Sequence, residues 1–276
     1  MRNKEQGILN KVCQKPETGN QQPSTINRQP TMNQQIFTII ENKPLTGSVY
    51  RLRLGGNTSA ITAPGQFVNI KLEGKFLRRP ISVCDRSGSM LTLIYKTVGK
   101  GTEQLSRMTK GDQLDVLTGL GNGYDLEPSG EHPLLIGGGV GIPPLFGLAD
   151  ELLQKGCKVT AILGFNTADE IFYADEFRML GVETHITTVD GSAGIKGFVT
   201  DAMKDLDYSY FYACGPEPML KAVYKTSATS GQMSFEKRMG CGFGACMGCS
   251  CRTVTGYKRI CKEGPVLRKE EICWEN

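Results

Sequence analysis

The sequence has little histidine, with two such residues, His132 and His185, among 276. Neither lies in a motif with other groups suited to proton transfer, although acid–base catalysis needs a positioned proton donor or acceptor. We therefore expect that any organic substrate is processed by another polypeptide.

Strong net charge and long apolar runs are also missing. The formal net charge is +4, and the first 31 residues hold five basic residues against two acidic ones. The remainder is nearly neutral, which argues against a nucleic-acid partner, because phosphate binding needs a basic face. No stretch approaches the roughly 18 apolar residues of a membrane span, and the N-terminus has no apolar core of a secretory signal. These features predict a cytoplasmic protein outside the membrane.

Cysteine is plentiful, with ten residues, but it is unevenly distributed. Five cysteines lie between Cys241 and Cys261, and the other five occur singly along the chain. Without an export signal, this distribution favours a reducing compartment and a metal site over a disulfide framework.

Composition and periodicity divide the chain into four segments. Residues 1–31 are rich in Gln, Asn, Pro and Thr, which predicts a disordered leader or a misassigned start. Residues 32–128 contain short alternating runs between turn residues, which predicts an antiparallel β-barrel. Residues 129–230 alternate strands with helices, which predicts a parallel-sheet α/β domain. Residues 231–276 hold the cysteine cluster and predict a small C-terminal domain.

Two glycine loops follow strands of the predicted α/β domain. "GGGVGIPPL" (137–145) follows the apolar run "PLLI", and "ACGPEPML" (213–220) ends the fourth strand. Glycines at the carboxyl end of a strand let a phosphate approach the backbone, and the following helix N-terminus favours its negative charge. A tight turn without a ligand has the same pattern, and Cys214 alone is more typical of a packed thiol.

Three short motifs of the predicted barrel fit a bound dinucleotide. In "RRPISV" (78–83), Arg79 offers a fork that suits a phosphate and Ser82 offers a small hydroxyl. "LIYK" (93–96) follows, and "GKGT" (99–102) opens the predicted helix of the barrel with a second anion-binding end. Each of the three motifs is common in proteins without such a ligand. The hypothesis of a bound dinucleotide therefore depends on the three motifs lying close together in the folded barrel.

The cysteine cluster has the spacing of an iron–sulfur site. Cys241, Cys246 and Cys249 form C-x4-C-x2-C, the spacing of plant-type 2Fe–2S proteins. The intervening glycines allow the loop to wrap closely and free backbone N–H groups to donate to sulfur. A structural zinc site is the alternative, but zinc ribbons usually have two C-x2-C pairs and a single one occurs here.

Three cysteines are candidates for the fourth ligand: Cys251, Cys261 and Cys273. Cys251 lies two residues after Cys249 and would crowd the loop. Cys261 can return after a short hairpin, "RTVTGYKRI", and is favoured. Cys273 is interpreted as a tail thiol.

These parts form a sensible electron path. A nicotinamide moves two electrons as a hydride, an iron–sulfur cluster moves one at a time, and a flavin can work in both modes. A flavin barrel, a nicotinamide domain and a cluster on one chain therefore predict electron transfer between NAD and an external partner. The alternative from another functional class is a binding protein that zinc stabilises and that has no redox function.

The motifs together resemble a known family. "RRPIS", "GGGVGIPPL", "YACGPEPML" and "EKRMGCGFGACMGCSC…RICKEGPV" are similar to the electron-transfer subunits of class 1B dihydroorotate dehydrogenases, in the ferredoxin–NADP reductase superfamily. The likeness extends from about residue 33 to 268. Its most specific part is the cysteine segment, because glycine loops recur across the superfamily.

The resemblance implies a role for each motif, with Ser82 near the flavin ring and Arg79 on the pyrophosphate. Lys96 stands where arginine is more usual. FAD would be bound by Arg79, Pro80, Ile81, Ser82, Ile94, Tyr95, Lys96, Gly101 and Thr102. Nicotinamide would be framed by Gly137, Gly138, Gly139, Gly141, Cys214, Gly215 and Pro216. The cluster would be ligated by Cys241, Cys246, Cys249 and Cys261.

The resemblance also implies a partner, an FMN-containing catalytic subunit that oxidises dihydroorotate to orotate in pyrimidine biosynthesis. Electrons would pass through the cluster and FAD to NAD⁺, in a heterotetramer with two copies of each subunit. A reductase subunit of a sulfide dehydrogenase, hydrogenase or ferredoxin–NAD(P) oxidoreductase is the alternative. "GFNTADE" lacks an arginine for a 2′-phosphate, and Asp169 and Glu170 would repel one, so NAD is favoured over NADP.

Overall fold

The computed structural model describes residues 31–274, so the predicted leader lies outside the described residues except for its last position. The first part of the described chain is a closed antiparallel barrel of six strands: β1 (Asn33–Pro44), β2 (Val49–Gly55), β3 (Phe67–Lys71), β4 (Arg79–Ser87), β5 (Met90–Lys96) and β6 (Gln113–Leu120). Around the barrel they pair in the order β1-β2-β5-β4-β3-β6. Along β2, Leu52 and Leu54 are buried while Arg51 and Arg53 between them stay partly exposed, which is the alternation expected of a barrel wall. Helix α1 (Lys100–Ser106) connects β5 to β6.

The second part is a sheet of six parallel strands: β7 (Pro133–Gly138), β8 (Thr160–Phe165), β9 (Glu183–Thr188), β10 (Ile195–Lys196), β11 (Tyr210–Cys214) and β12 (Gly231–Ser234). They lie in the order β10-β9-β8-β7-β11-β12. Its central strands are buried along their whole length, as expected when helices cover both faces of a parallel sheet. The helices are α2 (Pro143–Gln154), α3 (Ala174–Met179), α4 (Val199–Met203) and α5 (Glu217–Thr226).

The cysteine segment contributes a hairpin and returns to the sheet. Strands β13 (Ser250–Thr253) and β14 (Gly256–Arg259) form a two-stranded antiparallel sheet. Strand β15 (Val266–Arg268) then pairs antiparallel with β12 as the seventh strand of the large sheet. The sheet therefore continues beyond residue 230. Its last strand runs against the predicted parallel direction because residues 235–265 bring the chain back alongside β12 in the opposite sense.

Shared hydrophobic cores join the three parts. One core fills the barrel and consists of buried side chains from all its strands, the first along the chain being Phe37 and the last Val116. A second joins barrel residues such as Ile94 to the α2 face of the sheet, and a third joins the opposite face to Cys249 and Cys261. In residues 31–274, no helix has both the length and the apolar character needed to cross a membrane. These cores fix the two nucleotide motifs and the cysteine segment in one assembly.

Candidate functional site

The barrel brings Arg79 and Gly101 into direct contact. A Cβ atom added at Gly101 would lie 2.2 Å from the Arg79 Nε, so glycine leaves room for the guanidinium there. Arg79 also donates to the carbonyl of Leu77. Because Gly101 lies in the first turn of α1, the guanidinium and the free N–H groups of that turn face one region. Together they form a cradle suited to an anionic diphosphate.

Thr102 stabilises the loop that precedes α1. Its Oγ1 accepts a hydrogen bond from Val98 N at 2.9 Å and donates to Gly99 O at 3.1 Å. The hydroxyl is therefore engaged within the loop, and Thr102 shapes the cradle through this turn.

The side chains of the flanking motif residues serve mainly in packing. Ile81 and Ile94 are buried, whereas Pro80 and Lys96 are exposed and Ser82 is half-buried. A cofactor beside these two strands would meet the backbone and small polar groups more than the large side chains.

Tyr95 is buried in the barrel core. Its hydroxyl donates to Asn42 Oδ1 at 3.1 Å, and its ring stacks on Tyr50 with a centroid distance of 5.6 Å. Burial raises the pKa of this phenol because it removes water from the charged form. The structure therefore assigns the Tyr95 side chain to barrel packing.

The two glycine loops meet at the carboxyl ends of neighbouring strands. Gly137 on β7 is the register partner of Cys214 on β11. A Cβ added at Gly141 would lie 2.3 Å from Cys214 O, and one at Gly138 would lie 2.5 Å from Met219 Sδ. Gly139 has φ 51° with open space above it. The loops therefore form a crevice lined by backbone, the arrangement in which open α/β sheets bind nucleotides.

A cleft of about 330 Å³ opens beside the second loop. Across it, Lys237 Nζ lies 3.0 Å from a Glu217 carboxylate oxygen, which ties α5 to the segment after β12. The cleft is lined by Gly215, Pro216, Glu217, Leu220, Phe235, Glu236, Lys237 and Arg238. It therefore extends the nucleotide crevice towards the cysteine segment.

Cys214 lies in the floor of this crevice as a buried thiol. Tyr124 donates its hydroxyl to the neighbouring Ala213 carbonyl at 3.2 Å. Burial raises the pKa of the Cys214 thiol to about 12, so it is neutral at physiological pH. The arrangement suits a packing contact and not a nucleophile.

Carboxylates lie beyond the carboxyl end of β8. Glu170 accepts hydrogen bonds from Asn166 N at 3.2 Å and Asn166 Nδ2 at 2.8 Å, while Asp169 is exposed. Negative charge at this strand end suits a free ribose hydroxyl and repels a 2′-phosphate.

The cysteine segment arranges four thiols as two pairs. Cys246 N donates to Cys241 Sγ at 3.4 Å, and Cys261 N donates to Cys249 Sγ at 3.4 Å. Within each pair, one thiol also affects the ionisation of the other. In residues 31–274, no three or more His, Cys, Asp or Glu side chains are arranged to hold one metal ion. Two pairs match a two-iron cluster, in which each iron takes two protein ligands.

Electrostatics couple the two pairs. Burial opposes ionisation of Cys241, but N–H groups of Cys246, Phe243 and Ala245 outweigh it and lower the pKa of this thiol to about 6. Burial, Cys249 and Cys241 raise the pKa of Cys261 to about 12. A bound metal centre would stabilise all four as thiolates, so the donor set fits the cluster that the spacing predicts.

Two glycines give the cysteine loop its path. Gly242 has φ +77° and Gly244 has φ +91°, a region that other residues rarely adopt. A Cβ at Gly242 would lie 2.2 Å from Asn69 Nδ2, and one at Gly244 would lie 2.6 Å from the Lys262 side chain. The loop therefore packs on the barrel at a distance that only glycine permits.

Cys251 lies on β13, opposite Lys258. Burial raises the pKa of its thiol, and the neighbouring charges that act on it are those of Lys237, Lys258 and Glu217, besides Cys249. Cys273 is half-buried near the C-terminus. Neither belongs to the two hydrogen-bonded pairs.

Sequence reasoning missed two asparagines, Asn69 and Asn122. Asn69 Nδ2 donates to Cys241 O, and Asn122 bonds to the segment that follows Cys261. Asparagine between glycines is common in turns, and asparagine within a strand has no distinctive pattern. Neither residue therefore carried a signal of contact with the cysteine segment.

Comparisons with known proteins agree with these sites. A model described as "Oxidoreductase NAD-binding domain" matches residues 135–225, and one described as "Iron-sulfur cluster binding domain of dihydroorotate dehydrogenase B" matches residues 236–273. The dihydroorotate dehydrogenase B (NAD(+)) electron transfer subunit of Geobacillus sp. strain WCH70 is 44% identical over 255 residues, covering 87% of this chain and 99% of the relative. The equivalent Fusobacterium nucleatum protein is 42% identical over 251 residues, covering 85% and 96%.

Solved structures give a similar result. The structure of an NADH-dependent reduced ferredoxin-NADP oxidoreductase has a TM-score of 0.79 at 33% identity, covering 86% of this chain and 90% of that one. A ferredoxin NADP+ reductase from Neisseria gonorrhoeae with bound FAD and NADP has a TM-score of 0.62 at 19% identity, covering 70% and 89%. The second likeness shows the shared fold of barrel and sheet.

Proposed function

The chain belongs to the electron transfer subunits of dihydroorotate dehydrogenase B, and from this premise we propose how its residues carry out that role. As such a subunit it is part of an oxidoreductase that transfers electrons through a 2Fe–2S cluster and FAD to NAD⁺. The observation that carries this function is the 44% identity over 99% of a relative's length. The cysteine segment supports it independently through its two thiol pairs.

The partner that we propose is an FMN-containing catalytic subunit that oxidises dihydroorotate to orotate. We propose an assembly with two copies of each subunit. The two histidines lie outside any motif of proton-transfer groups. This supports a separate catalytic chain, because proton removal from dihydroorotate needs a base. Eight cysteines of the described residues are thiols outside any disulfide, which supports a reducing, cytoplasmic location; they are Cys84, Cys157, Cys214, Cys241, Cys246, Cys249, Cys251 and Cys261.

For the domains, we propose an FAD-binding barrel (32–128), an NAD-binding unit (129–230) and a cluster-binding unit (231–276). Strands β12 and β15 of the last unit complete the sheet of the second. This shared sheet supports a rigid relation between nicotinamide and cluster.

For FAD, we propose that Arg79 and the first turn of α1 hold the pyrophosphate, with Ser82 beside the flavin ring. The contact between Gly101 and the Arg79 guanidinium supports this assignment. The remaining lining residues are Pro80, Ile81, Ile94, Tyr95, Lys96 and Thr102. The burial of Ile81, Ile94 and Tyr95 means that they contribute mainly through their backbone.

For NAD, we propose that the two glycine loops frame the nicotinamide half and that Asp169 and Glu170 disfavour NADP. The backbone contact between Gly141 and Cys214 supports a shared crevice. The framing residues are Gly137, Gly138, Gly139, Gly141, Cys214, Gly215 and Pro216.

For the cluster, we propose that Cys241 and Cys246 hold one iron and that Cys249 and Cys261 hold the other. The hydrogen-bonded pairs support this division. When bound, the cluster supplies one-electron chemistry and the flavin converts between one-electron and hydride transfer. The protein orders the thiols and donates N–H groups to them, which tunes the reduction potential.

A second candidate is a reductase subunit that serves a different partner, such as a ferredoxin–NAD(P) oxidoreductase. The 33% identity to the NADH-dependent reduced ferredoxin-NADP oxidoreductase favours it. The higher identity to dihydroorotate dehydrogenase B subunits favours the first candidate.

A reconstitution separates the two candidates. The anaerobically purified full chain is combined with a dihydroorotate-oxidising FMN subunit, and NAD⁺ reduction is followed after addition of dihydroorotate. We expect NADH formation that requires both chains. A chain that binds FAD and iron normally, forms no NADH with dihydroorotate and the FMN subunit, and instead transfers electrons between NAD(P)H and ferredoxin would support the second candidate.

A further inference from the structure

We propose that Asn69 and Asn122 are positioning residues that fix the iron–sulfur loop on the flavin barrel and so control electron exchange between the two. The inference rests on the proposed function, because it assigns a cluster to the cysteine segment and a flavin to the barrel. It concerns two residues that make no predicted contact with either cofactor and act through the backbone of the cysteine segment.

Asn122 follows the last barrel strand and clamps the segment after Cys261. Its backbone N–H donates to Gly264 O at 2.8 Å. Its Nδ2 donates to Val266 O at 2.7 Å and to Glu263 O at 3.3 Å, while its Oδ1 accepts from Val266 N at 3.1 Å. A single side chain thus satisfies both backbone groups of Val266. The clamp fixes where the chain leaves Cys261, one of the proposed ligands.

Asn69 lies on β3 and reaches the other end of the loop. Its side chain is buried, with 1% exposure, and Nδ2 donates to Cys241 O at 3.3 Å. Its Oδ1 is buried without a hydrogen-bond partner among the described residues. The Gly242 backbone packs so closely that a Cβ there would lie 2.2 Å from Asn69 Nδ2. The amide is therefore wedged between the barrel wall and the first ligand of the proposed cluster.

Both asparagines extend from the part of the barrel that carries the flavin motif. Asn69 is the register partner of Pro80, and Phe67, two residues earlier, is the partner of Ser82. Asn122 follows β6, which pairs with β3. The hydrogen bonds from these two asparagines therefore connect the strands beside the flavin with the first and last proposed ligands.

The pattern points to positioning and not to general stability alone. Shared hydrophobic cores already hold the cysteine segment to the sheet, through residues such as Cys249 and Ile260. The asparagines add directional contacts to the backbone of two ligand-bearing segments. Groups that orient ligands in this way typically change metal affinity or activity by about 10–100-fold when they are altered.

The test compares Asn122→Asp and Asn69→Ala in the full chain, loaded anaerobically with FAD and iron. Asn122→Asp keeps the side-chain shape but replaces both Nδ2 donations with a negative oxygen facing two carbonyls. Asn69→Ala removes one hydrogen bond and opens space at Gly242. The matched control is Asn57→Ala, because Asn57 is exposed on the barrel and its side chain accepts from Ser59 N.

We expect both variants to release iron to a chelator about tenfold faster or more, with an altered EPR spectrum of the reduced cluster. NADH should still reduce their flavin at the rate of the unchanged chain, whereas electrons should pass from flavin to cluster about tenfold more slowly. Asn57→Ala should match the unchanged chain throughout. Unaltered EPR spectra and iron release in both variants would overturn the inference.

The outcomes separate this inference from the proposed function. An unchanged chain that carries no iron or flavin contradicts the proposed function itself. A loaded chain whose variants behave identically contradicts the positioning role alone. If Asn122→Asp does not fold, Asn69→Ala alone tests the positioning role, because it removes a single hydrogen bond and introduces no charge.

Discussion

The nucleotide-binding regions and the cysteine segment build their sites in different ways. In the barrel and the α/β unit, the motif side chains are largely used for packing, as Tyr95 and Cys214 are, and glycines expose the backbone. In the cysteine segment, the motif side chains themselves form two pairs, Cys241 with Cys246 and Cys249 with Cys261. A glycine motif that exposes its backbone therefore shows where a ligand binds. A cysteine motif shows this too, and it also identifies the sulfur atoms that bind the ligand.

The largest expected effect is the loss of the cluster when Cys261, the fourth proposed ligand, is replaced. Cys261→Ser should abolish stable cluster binding, because the serine hydroxyl does not replace a buried thiolate paired with Cys249. Iron and acid-labile sulfide analysis of anaerobically purified protein measures the loss.

Cys251→Ser is the matched control, since this cysteine lies on β13 outside the two pairs. It should retain iron and sulfide at the level of the unchanged chain. The opposite outcome, with Cys251 required and Cys261 dispensable, would refute the proposed ligand set.

A cysteine of the nucleotide region should behave differently from those of the segment. Because burial raises the pKa of Cys214 to about 12, its thiol stays protonated as pH rises and ionises only near that value. At about pH 8, its alkylation in the folded chain should be about a hundredfold slower or more than in urea, since the thiolate is the reactive form. Mass spectrometry of iodoacetamide-treated protein measures this, and equal rates would contradict the buried, neutral thiol.

The backbone cradle of the barrel can be tested with two glycines. Gly101→Ala places a Cβ 2.2 Å from Arg79 Nε and should displace the guanidinium. FAD affinity should fall by about 10–100-fold, the value of a lost charged hydrogen bond, and Arg79→Ala should have a similar effect. Fluorescence titration of FAD into the apo chain measures both.

Gly47→Ala is the control, because nothing lies within 4 Å of its added Cβ and it lies in the turn between β1 and β2, outside the FAD motifs. Its FAD affinity should be that of the unchanged chain. Normal FAD binding by Gly101→Ala would contradict the proposal that Arg79 and the first turn of α1 hold the pyrophosphate.

The smallest expected effect concerns the choice between NAD and NADP. The double variant Asp169→Asn with Glu170→Gln should raise kcat/KM for NADPH about fivefold, because two surface charges repel a 2′-phosphate modestly. Diaphorase assays with NADH and NADPH measure the ratio. Glu131→Gln, an exposed change before β7 at the opposite end of the sheet, should leave the ratio unchanged, and an unchanged ratio in the double variant would contradict the role of these carboxylates.

Periodicity was sufficient to predict the architecture, and the structure confirms the barrel and the α/β sheet. The alternation along β2 and the continuous apolar run of β7 depend on local burial, which the sequence expresses directly. The antiparallel return of β15 was not predictable, because it depends on where the β13–β14 hairpin places the chain.

The cysteine spacing identified candidate ligands because thiol chemistry and loop length restrict the possibilities. The inward side chain of Tyr95 was not evident, since either face of a strand fits the motif. The contacts of Asn69 and Asn122 with the cysteine segment join residues more than 100 positions apart. A single sequence carries no signal for such contacts.

The central claim is that the barrel holds a flavin coupled to a two-iron cluster on the thiol pairs. Anaerobic titration of the purified full chain with NADH, followed by visible absorption and EPR, tests it most directly. We predict that the flavin absorption bleaches and that the EPR signal of a reduced 2Fe–2S cluster appears. A flavin that is reduced without any such signal, in protein that lacks iron and acid-labile sulfide, would contradict the account.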